Sequence, residues 1–425
     1  MEILAILIFV LGYAAIVFEH PLKINKSAPA LVAGVLCWTV YAVAAPDAEA
    51  VGHHLEAHLG EIAGILFFLL AAMVIVELID AHDGFDIVTE RIRTTDKKRL
   101  MWLVGFLAFF LSAILDNLTT TIVMVSLLRK LVADREDRLL FAGLVVIAAN
   151  AGGAWSPMGD VTTTMLWIGG QITAGNIVKM LILPSLVCLL APLFAMSLRL
   201  KGNLSPMKIE ARDRPTTTAN ERNAVFAVGL GGLLFVPVFK TLTHLPPFMG
   251  MLLSLGVIWI LTEIIHARKD DEQVGNRTVI HVLRNIDTPS ILFFLGILIA
   301  ISALQSIGTL TAVAAWLDHT VGNITAITLT IGFLSAIVDN VPLVAAAQGM
   351  YSLEQFPVDH YFWEFLAYCS GTGGSTLIIG SAAGVAAMGM EKIDFVWYFR
   401  RVTLWAVLGY LAGAAVYVAQ YQLFH

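Results

Sequence analysis

Charge is scarce in this chain of 425 residues: only 14% are Asp, Glu, Lys or Arg, against 58% hydrophobic residues, with a mean hydropathy of +0.80. Ordinary soluble domains carry roughly 25% charged residues, so a water-soluble globular fold is excluded and a polytopic membrane protein is expected. Cysteine is equally sparse. Cys37, Cys188 and Cys369 are odd in number and lie in apolar segments, so no disulfide framework is implied. The first apolar segment, residues 3–19, has no Lys or Arg ahead of it, carries Glu2 and lacks a small-residue cleavage site, which argues for a retained span rather than a secretory signal. The net charge of −6 says little about partners, and nothing points to nucleic acid.

What the chain does have is a repeat. Leu111-Ser112-Ala113-Ile114-Leu115-Asp116-Asn117 recurs as Leu334-Ser335-Ala336-Ile337-Val338-Asp339-Asn340. Ile65-Leu66-Phe67-Phe68-Leu69 recurs as Ile291-Leu292-Phe293-Phe294-Leu295, and Gly152-Gly153 with Gly159 recurs as Gly373-Gly374 with Gly380. The three blocks keep their order and nearly the same offset, so the chain is read as two duplicated halves.

A window of about 20 apolar residues gives spans near 3–19, 28–45, 61–80, 139–168, 177–198, 224–240, 247–266, 288–307, 360–390 and 402–423. Two apolar segments remain, 100–131 and 322–350, each centred on an Asp-Asn pair. Arg91, Arg93, Lys97, Lys98 and Arg99 precede the first, and Arg129, Lys130, Arg135 and Arg138 follow it, so both of its ends are expected to be cytoplasmic. Such a segment cannot cross and must return as a hairpin with Asp116-Asn117 at its tip. The flanks of the second, Gly308–Val321 and Tyr351–His360, hold no Lys or Arg, so both of its ends are expected to be external. Lys23, Lys26, Arg199 to Arg222, Arg268 to Arg284 and Lys392 to Arg401 fall inside, and both termini come out external.

The fold class expected is therefore an all-α polytopic membrane protein, an inverted-topology repeat of about ten transmembrane helices plus two re-entrant helical hairpins and two interrupted helices. The first repeat takes residues 1–200, with hairpin 100–131 and interrupted helix 139–168. A polar cytoplasmic linker takes 201–222. The second repeat takes 223–425, with hairpin 322–350 and interrupted helix 360–390.

Most charges fall at span ends or in loops, but Asp116, Asp160, Asp339 and Glu77 do not. A carboxylate at mid-membrane depth costs roughly 2.5–3.5 kcal/mol on insertion scales, so such residues tend to line water-filled cavities and ion paths. Asp116 is followed by Asn117, Thr119 and Thr120, and Asp339 by Asn340. Carboxylate, amide and hydroxyl oxygens, with carbonyls freed at helix breaks, are hard ligands that suit Na⁺ or Li⁺. Gly152, Gly153, Gly373 and Gly374 weaken the helices they sit in, and Pro157 removes a backbone donor, which predicts two interrupted helices. The breaks would bring Asp160, Thr162, Thr163 and Thr164 beside Asp116, and Ser375, Thr376 and Ser381 belong to the expected cation- and proton-binding set. Because Asp160 is matched by Ser381, a bound cation is expected to lean toward the first half. Glu77 has two open readings, a proton-access residue or a snorkelling or capping residue. No Lys or Arg is expected beside the tips.

Three smaller features complete the reading. The segment Asp47 to Glu61 holds His53, His54, Glu56 and His58 and is read as a solvated external loop, since Leu55 stands where a HExxH site needs Glu. Lys179 and Lys240 are read as snorkelling at external ends. Small-residue packing is the other reading of the glycine doublets.

The blocks around Asp116, Asn150–Trp167, Asp339 and Gly371–Trp397 resemble the NhaD type of sodium/proton antiporter, over nearly the whole chain. The most specific stretches are Gly159-Asp160-Val161-Thr162-Thr163-Thr164 and Gly371-Thr372-Gly373-Gly374-Ser375-Thr376. The plan also resembles the wider ion transporter superfamily of dicarboxylate, citrate and arsenite carriers. The resemblance implies a homodimer in the bacterial inner membrane, exporting Na⁺ or Li⁺ against entering H⁺ with no further cofactor. Its expected mechanism is competition of cation and proton for Asp116, Asp160 and Asp339. Two other readings stay open. One is a Na⁺- or H⁺-coupled carrier of an anion such as arsenite or a di- or tricarboxylate, and the other an intramembrane aspartyl protease built on Asp116 and Asp160.

Overall fold

The computed structural model describes residues 2–45, 48–89, 92, 94–200, 202–204, 217–267, 269 and 275–424. Arg91, Arg93, Arg268 and most of the predicted 201–222 linker lie outside them. Every regular element among the described residues is helical, and nine helices are long and apolar enough to cross a membrane. The predicted spans 177–198, 224–240, 247–266, 288–307 and 402–423 correspond to helices Ala174–Arg199, Ala219–Thr243, Pro247–His266, Thr288–Ile307 and Thr403–Phe424. The chain is a polytopic helical membrane protein.

The Asp-Asn pairs break their segments. Lys97–Leu115 ends where Asp116 begins Asn117–Leu131, and Ile324–Leu334 passes through a turn to Asp339, which caps Asn340–Met350. Each broken segment leaves on the side where it entered. Lys97 pairs with Asp137 at 2.6 Å, tying the start of the first hairpin to the helix that follows its end. The Tyr351 hydroxyl donates to Asp318 at 3.2 Å, doing the same for the second. Arg129 and Arg138 both grip Glu391, at 2.6 and 2.8 Å, so the exit of the first hairpin is also pinned to the end of the second interrupted helix.

The interrupted helices run Arg135–Ala154 then Val161–Ile168, and Tyr361–Gly373 then Ala382–Glu391. Their glycines are needed for close approach. A Cβ on Gly152 would overlap the Phe109 carbonyl oxygen, and one on Gly373 the Gly332 carbonyl oxygen. The duplication extends to hydrogen bonds: Ser112 Oγ donates to the Ala149 carbonyl at 2.6 Å, and Ser335 Oγ to the Ser370 carbonyl at 2.8 Å. The same serine therefore stitches hairpin to interrupted helix in both halves.

Around this assembly, helices Glu2–Val17, Ser27–Ala44, Ala48–Ala81, 219–243, 247–266 and 288–307 pack chiefly on one another. Hairpins and interrupted helices pack chiefly on one another, with 174–199 and 403–424 against the first hairpin and the interrupted helices and 288–307 against the second hairpin.

Two expectations are corrected, and one flank of the second hairpin gains a helix. The predicted loop 47–61 is helical from Ala48 onward, continuous with the span that follows, because a stretch rich in Ala, Leu, Glu and His with little to break it extends an existing helix at low cost. There His58 meets Ser306 Oγ at 3.2 Å and packs edge-on against Trp38. The flank 308–321 contains helix Thr309–Thr320, opened by Gly308 at φ 89°. Lys240 does not snorkel. Its ammonium donates to the Trp167 carbonyl at 2.9 Å, at the C-terminal end of the short helix 161–168, where the macrodipole favours a cation.

Candidate functional site

Each broken element begins its second helix with a cap facing the same region. Asp116 accepts the Thr119 N–H and hydroxyl, both at 2.8 Å. Asp160 accepts the Thr162 N–H at 2.8 Å and its hydroxyl at 2.7 Å. Asp339 accepts the Val341 N–H at 3.2 Å, and Ser381 the Gly384 N–H at 3.2 Å. Asp, Asn and Ser are favoured at this position because their side chains satisfy orphan N–H groups. The consequence here is electrostatic. Four helix N-termini carry partial positive charge, and three already hold a carboxylate supplied by the chain.

Asp160 is the meeting point. Asn117, from the first hairpin tip, donates to its Oδ2 at 2.6 Å, and Asn340, from the second, reaches Oδ1 and Oδ2 at 3.3 and 3.4 Å. Asn117 also donates to Asn150 Oδ1 at 3.0 Å, and Asn150 donates to Ser375 Oγ and Ser381 Oγ, both at 2.9 Å. One chain of hydrogen bonds thus crosses all four broken elements. Asp160, Asn117 and Asn150 are buried. Asp116 adds backbone strain: its φ of 98° and ψ of 161° lie in a region otherwise close to glycine-only, a conformation costing about 1–3 kcal/mol.

A cavity of about 240 Å³ connects these groups to the surface. Asp116, Asn117, Thr119, Asp160, Asp339 and Asn340 line its inner part, Glu77 stands along it, and exposed Asp80 and Asp287 mark its mouth. Among the described residues, six carboxylates and one ammonium, that of Lys26, belong to its wall. Contrary to the expectation of no basic residue near the tips, Lys26 Nζ lies 3.2 Å from Asp339 Oδ2. The two residues are 313 positions apart in sequence, beyond the reach of any local pattern.

The remaining expected site residues fall behind this wall. Thr162, Ser375 and Ser381 support Asp160 and Asn150 as described. Thr163 donates to the Asp160 carbonyl at 2.8 Å. The hydroxyls of Thr120 and Thr376 are buried without a hydrogen-bond partner among the described residues. Asn150 and Lys26 are the residues that sequence reasoning did not single out. For Asn150 a signal existed, since an amide inside an apolar helix requires partners.

The model of the citrate transporter family, CitMHS, matches residues 13–366. Sodium/proton antiporter 1 of Arabidopsis thaliana is 53% identical over 98% of this chain and 72% of its own length. The Na⁺/H⁺ antiporter NhaD of Vibrio cholerae is 31% identical over 97% of this chain and 91% of its own length. Among solved structures, the YdaH transporter of Alcanivorax borkumensis superposes with a TM-score of 0.57 at 13% identity, over 89% of this chain and 90% of that one, a likeness of fold alone. On these matches the chain belongs to the family of the citrate transporter model and, within it, to the NhaD-type sodium/proton antiporters.

Proposed function

We propose that this chain exchanges Na⁺ or Li⁺ for H⁺ across the membrane, with Asp116 and Asp160 holding either protons or a dehydrated cation and Asp339 completing the acidic cluster. The observation that carries this reading is the convergence of three capping carboxylates on one cavity, with Asp160 held by the asparagines of both hairpin tips. A cation entering between Asp116 and Asp160 neutralises charge that protons would otherwise neutralise, so each displaces the other. Asn117, Asn340 and Thr119 hold the carboxylates in place, Asn150 with Ser375 and Ser381 braces the break, and the buried hydroxyl oxygens of Thr120, Thr162, Thr163 and Thr376 furnish further hard donors.

The mouth of the cavity lies on the face carrying Lys97, Arg129 and Arg138. Taking that face as cytoplasmic under the positive-inside rule, we assign the structure as open to the cytoplasm, with both termini external and Glu77 on the proton route. The division into repeats 1–200 and 223–425 joined by 201–222, residence in a cell inner membrane and assembly as a homodimer belong to the same proposal.

The competing reading, a coupled anion carrier, draws on Lys26 in the cavity wall. Its ammonium is already engaged by Asp339, and the other helix N-termini of the first half carry their own carboxylates, so an anion meets like charge. Reconstituted protein settles the choice. A Na⁺ or Li⁺ pulse should drive proton movement that is lost in Asp116→Asn, whereas transport of a labelled anion with no cation-driven proton movement would replace this reading.

A further inference from the structure

Lys26 stands ahead of helix 27–44, and its position is built rather than incidental. Its backbone N–H donates to Glu19 at 3.3 Å, and the neighbouring Ser27 hydroxyl donates to the Pro289 carbonyl at 2.6 Å. Its Nζ is held between the Asp339 carboxylate, at 3.2 Å, and the face of the buried Phe293 ring, 4.2 Å from the centroid. A cation over a ring face is attracted by the ring quadrupole, so carboxylate and ring act together. Phe293 belongs to the duplicated Ile-Leu-Phe-Phe-Leu block, and Asp339 to the duplicated tip.

Among the described residues, the half-site at Asp116 and Asp160 has no such cation. The second helix of each half begins after Lys26 in one case and after Pro246 in the other, so the matching position carries no charge. Among the described residues, no Lys or Arg forms an ion pair with Asp116 or Asp160. Two tips with the same Asp-Asn sequence therefore differ in their counter-charge: one aspartate is neutralised by the chain and the other is not.

We propose that Lys26 is a tethered cation occupying the second half-site, so that a duplicated architecture with two potential cation positions presents only one, at Asp116 and Asp160, to Na⁺. Lys26 acts as a positioning and specificity residue. It removes Asp339 from the set of carboxylates that exchange cation for proton and thereby sets the number of ions carried per cycle. This inference rests on the exchange reading of the cavity.

The test is equilibrium binding of radioactive Na⁺ to the full-length protein in lipid nanodiscs at a fixed alkaline pH. Wild type should bind one Na⁺ per chain. Lys26→Gln should bind one more, and Lys26→Arg and the double variant Lys26→Gln/Asp339→Asn should bind the wild-type number. An unchanged stoichiometry and half-saturation in Lys26→Gln would overturn the assignment of Lys26. So would a second bound Na⁺ that persists in the double variant Lys26→Gln/Asp339→Asn, where that half-site has lost its carboxylate. Wild type that binds no Na⁺ would instead overturn the exchange reading along with it.

Discussion

Asn117 at the tip of one hairpin and Asp160 at the break of the neighbouring interrupted helix are joined by a 2.6 Å hydrogen bond, while Asn340 of the opposite tip reaches the same carboxylate at 3.3 and 3.4 Å. A carboxylate shared by two tips entering from opposite sides is oriented from both directions, and neither tip can withdraw without altering it.

The difference in distance predicts a difference in effect. A hydrogen bond to a charged group contributes about 1.5–3 kcal/mol, which is on the order of a tenfold to hundredfold change in affinity. Asn117→Ala should raise the Na⁺ concentration for half-maximal exchange by at least about tenfold, and Asn340→Ala by distinctly less. Concentration series in proteoliposomes check the order, and equal effects would refute it.

Close backbone approach predicts a stability pattern among glycines. Gly152→Ala and Gly373→Ala force a methyl group onto a carbonyl oxygen of the adjacent hairpin, and overpacking of this kind costs about 1–3 kcal/mol. Gly256 in helix 247–266 has nothing within 4 Å of a built Cβ, so Gly256→Ala should be neutral or slightly stabilising. Thermal unfolding of the detergent-solubilised variants separates the two classes.

His82, just beyond the end of helix 48–81, is buried against the stacked ring of His266, with Nε2 to Nε2 at 3.1 Å. Burial, reinforced by His266, Arg277 and Lys269, pushes its pKa down to about 4 from the ordinary 6.5. A histidine depressed in the folded state binds its proton more readily when unfolded, so stability is full above about pH 6.5 and declines as pH falls toward about 4. His82→Gln should remove part of that acid-side loss and leave the alkaline activity profile unchanged. A displaced alkaline profile would mean that His82 takes part in pH control.

Much of this arrangement is legible in sequence because it is written twice. The recurrence of Leu-Ser-Ala-Ile-X-Asp-Asn marks both tips, and the glycine doublets mark both breaks, since each feature disfavours a continuous helix locally. What escaped reading depends on tertiary contact. Nothing near Lys26 indicates that it meets Asp339, and nothing near Lys240 indicates that it caps Val161–Ile168. Asn150 stands among small residues before Gly152, yet it joins the first break to the second through Ser375 and Ser381. The helical stretch ahead of Glu61 is hidden in the sequence for a different reason. Its polar composition suits an exposed helix as well as a loop, and only its continuity with the span distinguishes them.

The central claim is that cation and proton compete for one carboxylate cluster, and proton release on Na⁺ binding tests it most directly. Purified protein in weakly buffered solution with a pH indicator should release protons when Na⁺ is added but not when choline is added. The release should grow as the starting pH falls toward the range where the site is protonated, and it should be abolished in Asp160→Asn. Na⁺ binding with no proton release, or release of the same size in Asp160→Asn, would contradict the account.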